Sequence, residues 1–279
     1  MGMRVVAPDM MGYGETDAPQ VPPNPINLYG FKRASDDIAA LAKELNAPKI
    51  ILGGHDWGGA VVWRVAQWYP DLISHVFAVC TPYTAPSKTY VSTEDLANGP
   101  LPNFRYQLHL ASGEVEKFVK DEQTIRQFLK GAYEAKGPNR EIAFDPEKGL
   151  VEENMPLVGE SRILNGKYLD YYVKQYSIHG IHPTLNWYRV RRANWEEDQE
   201  LLSRKQINQP ALFIQATYDM VLIPGMAKSM GHFIPKLTRE EVKSGHWALT
   251  QKPDEVNAII RQWFEGQGLV GKKKRESTL

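Results

Sequence analysis

Cysteine is nearly missing from this sequence: Cys80 is the only one in 279 residues. That excludes an internal disulfide and a cysteine-built metal cage, and makes a reducing compartment, the cytoplasm, the default expectation. Cys80 lies in the apolar run VFAVC and reads as a core residue, not a nucleophile. Net charge is missing too. Lys+Arg and Asp+Glu stand at 33 each, which leaves no electrostatic reason to expect nucleic acid or an anionic membrane as the partner. No apolar run approaches a membrane span, and no signal-peptide pattern opens the chain. No pair of histidines has ligand spacing on one helix, and neither a metal nor any other cofactor is expected. Hydrophobic residues at 42% suffice for an ordinary globular core, in one large domain with an insertion or in two small ones.

The most informative stretch that is present runs from Lys49 to Pro70, KIILGGHDWGGAVVWRVAQWYP. A short apolar run, Ile50-Ile51-Leu52, bounded by glycines suits a strand covered on both faces, as in a parallel sheet. Gly54-His55-Asp56-Trp57-Gly58 then has the form glycine-x-nucleophile-x-glycine, with an aspartate where a hydrolase usually carries serine. In such an elbow the apical side chain stands above the sheet, and nearby glycines let strand and helix approach. The plainer reading makes Asp56 the cap of a helix that begins near Trp57.

Around this elbow the chain alternates. Met1 to Pro8 reads as a strand, Phe31 to Asn46 as an amphipathic helix with Ile38, Leu41, Ala42 and Leu45 on one face, and Ile73 to Cys80 as a further strand. Consecutive βαβ units imply a parallel sheet flanked by helices. From Tyr83 to Arg204 the alternation stops. Helical spacing at Val115, Phe118, Val119, Ile125, Phe128 and Leu129, and again at Leu169, Tyr172, Val173 and Tyr176, with no strong strand between, predicts a helical insertion. The alternation resumes with a strand at Ala211–Ala216, a short helix after Pro224, a strand at 240–243 and an amphipathic helix from Asp254 to Phe264. The tail GKKKRESTL reads as a solvated charged end. Its last three residues miss the Ser-Lys-Leu peroxisomal address at the middle position.

Three residues occupy comparable places: Asp56, Asp219 and His246 each follow a predicted strand of one sheet, where open α/β sheets bind ligands. Their order, nucleophile then acid then histidine, is that of a hydrolase triad. Asp219 would fix the His246 tautomer and leave the other ring nitrogen free for proton transfer. An aspartate nucleophile points away from acyl transfer. A carboxylate attacking an sp³ carbon forms an ester whose carbonyl belongs to the enzyme. Water activated by His246 can then attack that carbonyl, with the Trp57 backbone N–H in the oxyanion hole. The substrate should therefore carry an sp³ carbon with a leaving oxygen or halide.

At this point the chain resembles the soluble epoxide hydrolases, which have the α/β-hydrolase fold. GGHDWGG at Gly53–Gly59 is similar to their elbow, and APDMMGYGETDAP at Ala7–Pro19 to the turn after their fourth core strand. PNFRYQL (Pro102–Leu108) and LNWYR (Leu185–Arg189) are similar to the two lid segments that supply tyrosine acids. The resemblance implies a mostly parallel sheet with a helical cap, a core at 1–82 and 205–279, and a cap at 83–204. It also implies that Tyr106 and Tyr188 hold and protonate the epoxide oxygen; a phenol with a pKa of about 10 keeps its proton at neutral pH. Small hydrophobic epoxides and water would be the reactants, no further partner being required and a homodimer remaining open. The family's His-Gly-x-Pro motif, which follows its third core strand and supplies the second oxyanion N–H, has no counterpart, so the core is expected to be incomplete at its N-terminus. Two other readings stay open: a haloalkane dehalogenase with the same aspartate followed by tryptophan, and a non-catalytic relative that kept the triad by descent.

Overall fold

Four parallel strands carry the fold in the computed structural model, which describes residues 2–271. In chain order, helix α1 (Phe31–Glu44) leads to strand β1 (Ile50–His55), helix α2 (Trp57–Trp68) and strand β2 (Ile73–Val79). Helices α3 (Thr93–Ala97), α4 (Arg105–Ala111) and α5 (Glu122–Ala132) follow. A two-residue-per-strand hairpin comes next, β3 (Phe144–Asp145) with β4 (Gly149–Leu150), then α6 (Gly166–Ser177), α7 (His182–Arg189) and α8 (Arg191–Asp198). The chain then returns to the sheet with β5 (Ala211–Ala216) and β6 (Leu237–Val242), and closes on α9 (Ala248–Gln251) and α10 (Pro253–Gly266). The strand order is β1-β2-β5-β6, every neighbouring pair parallel.

Strand β5 shows why its sequence is apolar throughout. Every one of its residues is buried. Side chains alternate between faces, so Leu212, Ile214 and Ala216 pack with Val256, Trp263 and Phe264 of α10. Ala211 and Phe213 instead join the cluster with Val61, Val62 and Val65 of α2 and Ala34 of α1. A strand covered on both faces has no polar side to display.

The predicted helices at Phe31, Trp57 and Asp254 and the strands at Ile50, Ile73 and Ala211 all form, with ends within a few residues of expectation; the last strand begins earlier, at Leu237. Three readings are corrected. The expected strand at Met1–Pro8 does not form over its described residues, 2–8. An extended segment becomes a strand only by sharing a ladder, and none of these residues pairs with β1 or with any other strand; Val5 is 85% and Val6 46% exposed. The helical spacing from Val115 to Leu129 is split into a 3₁₀ turn (Val115–Lys117) and α5. The break comes where Asp121 caps α5 by accepting from the Thr124 N–H at 2.8 Å, with Thr124 reaching back to the Asp121 N–H. The segment after Pro224 is a single 3₁₀ turn, and the β3–β4 hairpin is the strand pair that sequence missed in the insertion. From residue 272 on, the basic tail and its Ser-Thr-Leu end lie outside the described residues.

Candidate active site

The elbow begins with a backbone strain. Asp56 ends β1 at φ 52°, ψ −124°, the one residue between strand and helix. A positive φ on a residue with a Cβ costs on the order of 1–3 kcal/mol and persists only where the surroundings impose it. They do so here. A Cβ on Gly54 would lie 2.2 Å from the Gly58 carbonyl oxygen, and one on Gly59 2.6 Å from the Thr81 Cβ, so these two glycines set how closely α2 approaches the sheet. Gly58, the last glycine of the motif, has open space where its Cβ would be. The Thr81 hydroxyl donates to the Asp56 carbonyl at 2.7 Å and pins the turn from the end of β2. Although Asp56 sits at the N-cap position of α2, its side chain makes no capping bond. The cap reading is therefore set aside: the carboxylate faces His246.

The Asp56 Oδ1 lies 3.4 Å from His246 Nε2, and His246 Nδ1 lies 3.0 Å from Asp219 Oδ2. Asp219, 3% exposed, is fixed by its other oxygen, which accepts from the Val221 and Leu222 N–H groups at 2.8 and 2.9 Å. Burial works against charge on both carboxylates, but the hydrogen bonds and charge of His246 outweigh it and hold both below the ordinary aspartate value. The Trp57 backbone N–H adds to this at Asp56. Burial likewise opposes the imidazolium, yet the hydrogen bonds and charges of Asp219 and Asp56 win and hold His246 at about 10. His55 was not singled out from sequence. Its Nε2 lies 2.7 Å from the His246 carbonyl oxygen; a carbonyl only accepts, so this nitrogen carries a proton and donates. Burial, followed by the neighbouring His246, lowers the pKa of His55.

Above this trio stand the two helices that carry Tyr106 and Tyr188. Their rings meet edge to face at 5.9 Å, and Tyr188 also packs edge-on against Trp57 at 5.4 Å. Burial pushes both phenols upward, and the Asp56 charge adds to it. The helices are tied down by polar contacts. Arg189, next to Tyr188, donates to the Ala111 carbonyl at the end of α4 and pairs with Glu116. Trp187 donates to the Met11 carbonyl at 3.0 Å, and Asn103 to the Val221 carbonyl at 2.6 Å.

Two cavities meet at Asp56 and Trp57. One, of about 420 Å³, runs under Tyr106 and Tyr188 towards Thr89, Arg191 and Trp195. The other, of about 680 Å³, runs past Tyr13 and Tyr176 along the open side of β1. The charge of Asp56 also reaches Tyr13 and Tyr176, whose rings meet edge to face at 5.8 Å. Tyr13 could have been flagged by its place in the Gly-Tyr-Gly turn; nothing in the local pattern separated Tyr176 from the other 12 tyrosines.

Residues 2–253 match the sequence profile of the alpha/beta hydrolase fold family. The chain belongs to the α/β-hydrolase fold family. Among its relatives, Epoxide hydrolase srdG of Neurospora crassa is 34% identical over 276 residues, covering 95% of this chain and 79% of that one. Bifunctional epoxide hydrolase 2 of Rattus norvegicus is 31% identical over 95% of this chain, which spans 47% of that longer protein. The crystal structure of Epoxide Hydrolase A from Mycobacterium thermoresistibile superposes with a TM-score of 0.73 at 27% identity, over 92% of this chain and 81% of that chain. The α/β-hydrolase architecture implied by the resemblance, with the parallel sheet expected from the alternation of strands and helices, is thus the one observed, including a helical insertion after the strand that follows the elbow helix. Among the described residues, no helix of this α/β-hydrolase is long and apolar enough to cross a membrane.

Proposed function

We propose that the chain hydrolyses epoxides to vicinal diols, with Asp56 as nucleophile, His246 as base, Asp219 as its orienting partner and Tyr106 and Tyr188 as acids. The observation that carries the reading is the facing of two phenols, Tyr106 buried and Tyr188 half-buried, across one cavity from an ionised aspartate. A halide needs no proton when it leaves; a ring oxygen does. Two phenols are therefore the feature that separates this reading from dehalogenation.

An Asp56 oxygen attacks one ring carbon, the C–O bond breaks, and the alkoxide takes a proton from a tyrosine. At neutral pH both carboxylates keep His246 protonated. Ester formation removes the Asp56 charge, so the hold on that proton weakens at the step where a base is needed. The tyrosinate left by ring opening accepts it. Neutral His246 then takes a proton from water, and hydroxide attacks the Asp56 carbonyl carbon while the Trp57 N–H steadies the oxyanion. Collapse releases the second diol oxygen as alkoxide, which is protonated by the carboxyl formed on Asp56. The carboxylate and the imidazolium are both restored.

In this reading residues 83–204 act as the cap, and the core lies at 1–82 and 205–279. The reactants are a small hydrophobic epoxide and water, in the cytoplasm; a homodimer is compatible with the site. Steady-state assay of diol formation from an aryl epoxide tests the proposal. Wild type should turn it over and Asp56→Ala should not. Equal turnover by both would sink the reading, and halide release from a chloroalkane without diol formation would favour the dehalogenase.

A further inference from the structure

The helices that carry the two phenols are locked to each other by side chains that line neither cavity. Arg189, the last residue of α7, directly follows Tyr188. Its Nε donates at 2.9 Å to the Ala111 carbonyl at the end of α4, where a helix leaves its last carbonyls without internal partners. Its Nη1 donates to Asn186 Oδ1 at 3.0 Å, one turn back on α7, which fixes the plane of the guanidinium. Its Nη2 donates to Glu116 Oε1, in the 3₁₀ turn that comes after α4. His182, at the start of α7, completes the cluster. Its Nδ1 lies 3.1 Å from the same Glu116 oxygen and 3.3 Å from Arg189 Nη1, and its Nε2 donates to the Val21 carbonyl at 3.1 Å.

The Arg189 and Glu116 side chains are only 18% and 20% exposed. Glu116 makes both contacts through Oε1, and Oε2 is buried with no hydrogen-bond partner among the described residues. Burial opposes the Glu116 charge, yet the Arg189 and His182 hydrogen bonds outweigh it and hold the carboxyl below its ordinary value. Removing the cation would leave a poorly solvated carboxylate, which ties the two side chains to one arrangement. The phenols differ in how they are held. Tyr106 has an anchor of its own, its N–H donating to the Pro146 carbonyl at 3.0 Å. Tyr188 is flanked by Trp187, which reaches the Met11 carbonyl, and by Arg189; of these two, Arg189 is the one that reaches the helix of the other phenol.

We propose that Arg189 and Glu116 are positioning residues for ring opening: their ion pair, steadied by His182, places the Tyr188 hydroxyl beside that of Tyr106 over the epoxide oxygen. The inference rests on the epoxide reading and adds to it a cluster that acts without touching substrate. Its whole effect runs through Tyr188, and a displacement of about 1 Å at such a group can cost about 10²-fold.

The test is the factor by which Tyr188→Phe slows ester formation, measured in otherwise wild-type protein, in Glu116→Gln and in Arg189→Lys, which keeps the charge and loses the fork. Single turnovers of an aryl epoxide with enzyme in saturating excess give first-order constants, which do not depend on how much of a variant folds. The factor should be about 10–100-fold in otherwise wild-type protein. It should collapse to about twofold or less in Glu116→Gln and in Arg189→Lys, because a displaced hydroxyl has nothing left to lose. The factor for Tyr106→Phe should not collapse in either background. A Tyr188→Phe factor still above about fivefold in both backgrounds would show that the cluster only supports the fold and overturns the proposal. So does a Tyr188→Phe substitution without effect in otherwise wild-type protein, or a Tyr106→Phe factor that collapses equally. In each of these cases diol formation by wild type leaves the epoxide reading standing, whereas no diol from wild type overturns both.

Discussion

The two sides of Asp56 are built differently. Towards β2 and β5 the sheet is closed: β5 is buried along its whole length, and Asp219, which follows it, has a partner for each carboxylate oxygen. On the opposite side β1 is the edge of the sheet among the described residues, its own side chains are mostly half-buried, and Val5 and Val6 project into solvent. The nucleophile therefore follows one edge strand, its acid hangs from the fully buried β5, and its histidine follows the other edge strand, β6, whose residues 239–241 are exposed. Asp56 is held in place by the β1–β2 ladder, by the close approach of α2 and by the Thr81 bond, all on the closed side. Chemistry should thus depend steeply on the closed side and weakly on the open one.

The largest expected effect comes from His246→Gln. Ring opening survives it but hydrolysis of the ester does not, so the reaction should stop after one equivalent and steady-state turnover should fall by about 10³-fold or more. A quench-flow trace that continues past one equivalent would break the division of labour. Next come the phenols. Tyr106→Phe and Tyr188→Phe should each lower kcat about 10–100-fold and the double variant further, since each phenol partly covers for the other. A double variant no worse than either single one would show that only one phenol reaches the oxygen.

Stability should show the same asymmetry. Ile214→Ala in β5 removes a fully buried side chain and should cost about 2–4 kcal/mol. Ile51→Ala in half-buried β1 should cost about 1 kcal/mol. Comparable shifts in denaturation midpoint would mean that the open side of β1 is as well packed as the closed one. The smallest effect is the pH dependence. The folded pKa of His246 is raised, so its contribution to stability is complete below the ordinary histidine value near 6.5 and fades as pH rises towards about 10. Asp56 and Asp219 are lowered, so theirs is present above the ordinary value near 3.8 and is lost as pH falls. Melting temperature should decline between pH 6.5 and 10, and that decline should flatten in Asp219→Asn.

The triad was legible from sequence because each member sits at the C-terminal end of a strand, where spacing in the chain becomes proximity in space. The parallel sheet was legible from apolar runs alternating with amphipathic helices, and the α/β-hydrolase fold from the resemblance of the elbow and lid segments. What sequence hid depended on tertiary context. The extended look of Val5 and Val6 is a local property, but a strand also requires a neighbour. Tyr13 lies near the start of the chain and Tyr176 in the helical insertion, and they meet only because α6 folds over the Gly-Tyr-Gly turn. His55 was hidden by its neighbour, since Asp56 alone explained the motif.

The central claim is that Asp56 itself becomes esterified. A single turnover in oxygen-18 water, with enzyme in excess over epoxide, tests this most directly. The account predicts a first-turnover diol free of the heavy isotope, with one heavy oxygen in the peptide that contains Asp56. Heavy oxygen in the diol and none on Asp56 would mean that water attacked the epoxide directly, and would contradict the account.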